Sequence, residues 1–111
     1  MKKYNANYFK KGWFIGNFEP SLKLTDSFEI AYKEYDENFT EAPHYHKIAE
    51  EYTIVVQGQV NVNGKVFREG EIIYLKPYEV SSFKTLSKAK TVVVKIPSVK
   101  DDKYLISNKN D

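Results

Sequence analysis

The sequence predicts an all-β protein, a single-domain antiparallel sandwich or barrel. Short runs of β-branched and aromatic residues recur at regular spacing with turn residues between them, and helical periodicity is almost absent. A chain of 111 residues has room for one core and no more.

The elements justify this in order. KKGWFIGNF, residues Lys10 to Phe18, holds the only tryptophan beside three other large apolar residues. Left open as a strand it would invite pairing with other chains, so it is expected to be covered. FEIAYKEY, Phe28 to Tyr35, alternates Phe28, Ile30 and Tyr32 with Glu29, Ala31 and Lys33, the period of a strand that buries its apolar face. YTIVV, Tyr52 to Val56, is continuous and β-branched, which fits a strand covered on both sides. QVNVNGKVF sets Val60 and Val62 against Asn61 and Asn63, and Asn63-Gly64 is a strong hairpin signal. EGEIIYLK, SFKTL and TVVVKIP supply three further strands, with turns at Gly70, around Pro77 and Tyr78, and at SKAK. The end, VKDDKYLISNKND, is polar enough for a loose tail. The expected division is an N-terminal segment over 1–18, a barrel over 19–99 and a polar tail over 100–111. Most of the nine tyrosines and seven phenylalanines are expected to fill the core and brace the strands.

Composition removes several functions. Seventeen Lys plus Arg against fifteen Asp plus Glu leave a net charge of +2, with the basic residues scattered, which argues against nucleic acid as a partner. The absence of cysteine excludes a disulfide framework, a thiolate metal site and a thiol nucleophile, so any metal must take nitrogen and oxygen ligands. MKKYNANYFKKGW has no continuous apolar stretch and is expected to be neither signal nor anchor. TIVV and TVVV, the longest strongly apolar runs, are far short of the roughly 20 residues that span a bilayer. A cytoplasmic protein without a membrane partner is expected.

PHYHKIAEEYTIVVQG, Pro43 to Gly58, holds the only two histidines of the chain. In an extended segment His44 and His46 share a face, about 7 Å apart along the backbone, close enough for one ion. Glu51 opens the next strand, where its carboxylate can turn back toward them. Two imidazoles and a carboxylate suit iron, manganese, nickel or zinc and leave coordination positions open. By the same parity Tyr45 points away from the histidines. Farther along, Ser81 and Phe83 share a face, Lys95 interrupts TVVVKIP as a potential pocket cation, and Tyr74 is a potential stacking surface.

The stretch resembles the first cupin motif, a glycine, five residues, HxH, three or four residues, a glutamate, six residues and a glycine. Asn38 stands at the first glycine, Phe39 to Pro43 are the five residues, and His44-Tyr45-His46 is the HxH. Lys47 to Glu50 form the spacer before Glu51, and Tyr52 to Gln57 lead to Gly58. The spacing selects Glu51 over Glu50, and Asn38 is the residue after glycine that best tolerates a left-handed turn. The second cupin motif is degenerate. Gly70 begins it, but Lys76-Pro77-Tyr78 replaces Pro-x-Gly, Ser81 stands where a fourth ligand histidine would be, and Thr85 where an asparagine would be.

The resemblance implies a jelly-roll cupin in which His44, His46 and Glu51 bind a divalent metal and the barrel takes a small polar metabolite, a carbohydrate among the candidates, with Ser81, Phe83 and Lys95 in the pocket. It also allows a metal-free sugar-nucleotide isomerase or epimerase using His44 and His46 as catalytic acid and base, and a non-enzymatic ligand-binding or sensor module. Cupins commonly form homodimers that exchange an N-terminal strand, and KKGWFIGNF resembles such a strand. The competing arrangement packs it on its own barrel.

Overall fold

The computed structural model describes residues 1–106. Two 3-10 turns, Ala6–Tyr8 and Lys10–Gly12, precede ten strands. These are β1 (Trp13–Ile15), β2 (Glu29–Tyr35), β3 (Thr40–Tyr45), β4 (Glu50–Gln57), β5 (Val60–Val62), β6 (Lys65–Phe67), β7 (Ile72–Leu75), β8 (Ser81–Thr85), β9 (Ala89–Ile96) and β10 (Tyr104–Leu105). They form two five-stranded antiparallel sheets, ordered β1-β2-β9-β4-β7 and β10-β3-β8-β5-β6. The predicted jelly-roll sandwich is the fold that forms. No helix among the described residues is long and apolar enough to cross a membrane.

Turn chemistry sets the strand order. Asn63 (φ 55°) and Gly64 (φ 83°) close the β5-β6 hairpin with two left-handed residues, and Asn38 (φ 64°) takes the left-handed conformation its place before β3 requires. Thr85 ties that turn to β8: its hydroxyl donates to the Asp36 carbonyl (2.6 Å) and accepts from the Phe39 N–H (2.9 Å). Gly58 (φ 86°) follows β4 where a Cβ would overlap the Lys88 carbonyl oxygen, so the chain reverses there only with glycine.

The two ends of the sandwich differ. At one end Val55, Val60, Val62, Ile73 and Ala89 are buried together, with Tyr35, Phe67, Leu75 and Phe83 packed on them. Full burial of each Val or Ile side chain contributes roughly 1.5–3 kcal/mol. At the other end the buried residues include His44, His46, Thr53 and Ser81. The polar end positions the site.

Three expectations are corrected. β2 turns inward not its Phe28, Ile30, Tyr32 face but the opposite one: Ala31 is fully buried, and Lys33 and Tyr35 line an interior cavity. β4 is covered on one face only, since Thr53 and Val55 are buried while Tyr52 and Val56 remain exposed. The tail is not loose over its first part: Asp102 is buried and β10 pairs with β3, Tyr104 opposite Tyr45 and Leu105 opposite His44. Its remainder, 107–111, lies outside the described residues. Within KKGWFIGNF, β1 pairs with β2 of the same chain, Trp13 opposite Ala31.

Candidate functional site

The site grows from the end of β3. The register of β3 against β8 slips between Glu41 and His44, a bulge that includes Pro43, whose ring cannot supply a ladder N–H. The slip turns both Glu41 and His44 inward although three positions separate them, and both line the same cavity. His46 follows two residues later on the His44 face, its carbonyl accepting the Tyr78 N–H at 2.6 Å. The segment beyond is fixed by Asp102, whose carboxylate accepts the N–H groups of Lys47 (3.0 Å), Ile48 (3.1 Å) and Ala49 (2.9 Å). Burial pushes the Asp102 carboxyl upward, but these hydrogen bonds outweigh it and hold it below the usual carboxylate range.

The two imidazoles meet edge to face, with centroids 5.4 Å apart and planes at 84°. Both are buried, at 7% and 6% exposure. His44 Nδ1 lies 3.1 Å from the Ala42 carbonyl oxygen. A carbonyl only accepts, so Nδ1 carries the hydrogen and Nε2 carries the lone pair of the neutral ring. His46 Nδ1 lies 3.8 Å from Glu51 Oε1, which favours the same tautomer, and its Nε2 is buried without a hydrogen-bond partner. Burial, then the positive charge of Lys95, push His46 down to about 4, so it is neutral at pH 7. The other Glu51 oxygen, Oε2, accepts the Thr53 hydroxyl at 3.2 Å.

Ser81 pairs with His44 across the β3-β8 ladder and is buried. Phe83 packs its ring 5.0 Å from Tyr35 and 6.5 Å from Phe39. His44, Glu51, Phe83 and Lys95 line one interior cavity of about 240 Å³, and His46 faces an adjoining open cleft of about 660 Å³ that shares Trp13 and Lys95 with it. Lys95 lies on the interior face, 3.9 Å from Glu29 Oε2, with its ammonium 5.1 Å from the Trp13 ring centroid. Tyr45 and Tyr74 stand elsewhere. Tyr45 stacks between Tyr78 and Tyr104, and the Tyr74 hydroxyl donates to Glu50 on the outer face.

Several interior residues were not among the sequence candidates: Trp13, Lys33, Tyr35, Glu41 and Thr53 line the same cavity. Strand pairing could have found Lys33, because it shares a face with Ala31 and Tyr35; assigning that face to solvent on hydropathy concealed it. Glu41 needed the bulge, which the proline alone hints at. Burial, with Glu41 next, pushes the Tyr35 phenol up, so it stays protonated.

The donor types suit a divalent ion: two imidazoles whose Nδ1 atoms face acceptors and leave Nε2 as the nitrogen able to ligate, that of His46 buried without a partner. The carboxylate does not complete the set as placed, because Glu51 faces the Nδ1 side of His46. No three His, Asp or Glu side chains among the described residues stand at metal-ligand spacing.

No protein-family model matches the chain, and no curated protein matches it. Solved structures do. A protein with a double-stranded β-helix domain from Klebsiella pneumoniae superposes with a TM-score of 0.72 at 14% identity, over 97% of this chain and 93% of that one. KdgF from a Halomonas species gives 0.62 at 20% identity, over 70% and 74%. Oxalate decarboxylase from Bacillus subtilis, in a structure concerned with its Mn(II) centres, gives 0.61 at 16% identity over 73% of this chain, which spans only 24% of that one. These neighbours are cupin-fold proteins. At 14 to 20% identity the likeness shows the fold alone: the chain has a double-stranded β-helix fold.

Proposed function

We propose that the protein binds a small polar metabolite in the interior of the sandwich, and that His44 and His46 hold a divalent ion beside it through their Nε2 atoms. One observation carries this reading. His46 Nε2 is buried, neutral and without a partner next to a second imidazole whose Nε2 is also a lone pair. A buried nitrogen in that state is a cost unless something binds it.

Glu51, expected from spacing to be the third ligand, takes a different part here: its carboxylate faces Nδ1 of His46 and orients the ring, as a carboxylate does behind a metal-bound histidine. An ion at two imidazoles would supply Lewis-acid polarisation of a carbonyl or hydroxyl oxygen and leave its other positions to water and ligand. Among the chain's own groups, Ser81 opposite His44 offers a hydroxyl to a ligand oxygen, and Phe83 with Tyr35 keeps water from the inner wall. The Mn(II) centres of the oxalate decarboxylase neighbour make Mn(II) the first ion to test.

Elemental analysis of untagged protein, for the wild type and for His46→Ala, tests the reading. The expected result is a divalent ion in the wild type, stripped readily by EDTA as befits two protein ligands, and lost in the variant. A wild type that binds no added Mn(II), Fe(II), Ni(II) or Zn(II) at micromolar concentration would refute the metal. The unpartnered Nε2 of His46 then favours the second reading, in which His46, neutral at pH 7, removes a proton at Nε2 and the resulting imidazolium returns it, with His44 beside it. Solvent deuterium washing into a keto-sugar in metal-free protein distinguishes that reading from simple binding.

A further inference from the structure

The interior holds positive charge that the histidine site does not use. Lys33 and Lys95 project into the 240 Å³ cavity from adjacent strands, β2 and β9. Each ammonium lies 5.1 Å from the centroid of the same Trp13 ring. Lys33 Nζ donates to a neutral acceptor, the Lys11 carbonyl at 3.1 Å, and among the described residues no carboxylate stands within 4.0 Å of it. Lys95 has only Glu29, at 3.9 Å, and that carboxylate already accepts the Ser98 hydroxyl at 2.6 Å. Lys11 and Lys103 line the same cavity, so four lysines face two glutamates, Glu41 and Glu51.

Bringing two ammoniums together in a half-buried site is unfavourable unless an anion completes it. The usual fate of an interior lysine is a carboxylate partner from its own chain, and Lys33 lacks one. Burial pushes the Lys33 ammonium below the ordinary lysine value, with Glu41 opposing, as fits a cation left short of counter-charge. The recognition elements are two point charges and an indole. No arginine lines the cavity, and no α-helix N-terminus exists among the described residues to gather phosphate oxygens.

We propose that the metabolite is an organic acid, with Lys33 and Lys95 pairing its carboxylate above Trp13 while its remaining oxygens face His44 and Thr53, which line the same cavity. This rests on the reading that the interior is a ligand site, but not on a metal being there. Trp13 makes it directly measurable, because the only indole of the chain lies against both ammoniums.

The probes are succinate and its neutral isostere succinamide, titrated against Trp13 fluorescence and the indole N–H resonance at constant ionic strength, with and without EDTA. Succinate should give a saturable change in both signals, with EDTA present as well as absent, and succinamide none. Lys33→Met and Lys95→Met should each weaken succinate by about tenfold or more, the loss expected for a charged hydrogen bond. Lys65→Met, at a lysine of β6 outside the cavity, should leave succinate binding within about twofold. Equal responses to the two probes would overturn the proposal, as would no saturable response to succinate in the wild type, which needs no variant to fold. Binding abolished by EDTA or by His46→Ala but retained in the Lys33 and Lys95 variants would also overturn it while upholding the metal reading. Inorganic phosphate binding more tightly than succinate through the same lysines would overturn the carboxylate assignment.

Discussion

The sheet β1-β2-β9-β4-β7 has two faces that invert the usual rule. Its outer face carries Ile30, Val94, Tyr52 and Tyr74 in one cross-strand row and Tyr32, Val92, Ile54 and Ile72 in the next. Its inner face, toward the site, carries Glu29, Lys33, Glu51 and Lys95. Apolar residues thus lie outside and charged ones inside over half the sheet. The inner charges are held by an enclosure the rest of the fold builds, with Val55, Val60, Val62 and Ile73 packing the opposite end. Interior charge without full pairing costs stability, and its placement on one face is what the proposed ligand site would account for.

The comparison can be broken most sharply at two consecutive residues of β4. Val55 is fully buried in the apolar end and Val56 is 48% exposed on the outer face. Val55→Asp should cost about 4 kcal/mol or more, because an unpaired carboxylate enters the core. Urea denaturation should show most of that variant unfolded without denaturant.

The next largest effect is acid sensitivity at the polar end. His46 is held at about 4 in the folded protein against 6.5 when free. The unfolded chain therefore binds a proton that the folded one refuses between those values. Stability falls as pH drops through that window, by about 3 kcal/mol in total for this group. His46→Gln in EDTA should flatten the urea midpoint over that range, and an unchanged profile would mean that the ring is not buried neutral.

A smaller effect of opposite sign is expected at Lys33. Replacing an interior cation that has no carboxylate partner with an isosteric apolar chain should raise stability by about 1 kcal/mol in the absence of ligand, even as Lys33→Met loses the anion. A destabilised Lys33→Met would mean that the ammonium is part of the structural framework and not kept for binding. Smallest of all, Val56→Asp should change stability by no more than about 0.5 kcal/mol. A loss of several kcal/mol there would show the outer face to be covered by a second copy, and light scattering would then report the homodimer that the N-terminal strand suggested.

Much of this was legible in the chain. Asn63-Gly64 placed a hairpin because few residue pairs accept two left-handed conformations, and HxH parity put His44 and His46 together and turned Tyr45 away. Ser81, singled out by its place in the degenerate second motif, lies opposite His44 in the β3-β8 ladder. Lys33 and Glu41 were not legible. The alternation of β2 shows that two faces differ but not which one looks inward, and β3 changes phase at a bulge that spacing does not reveal.

The sequence by itself determined most of the strands, their turns, the absence of thiol chemistry and the shared face of the two histidines, because these depend on backbone preferences and on parity within one strand. Tertiary structure decided which face of each strand is the interior. It set Glu51 behind His46, brought Lys33 and Lys95 to Trp13, and drew Asp102 from the polar end of the chain to hold residues 47–49. Those relations join residues far apart in the chain. They follow from which strands pair and in what register, and no local pattern of hydropathy encodes that when the interior itself is charged.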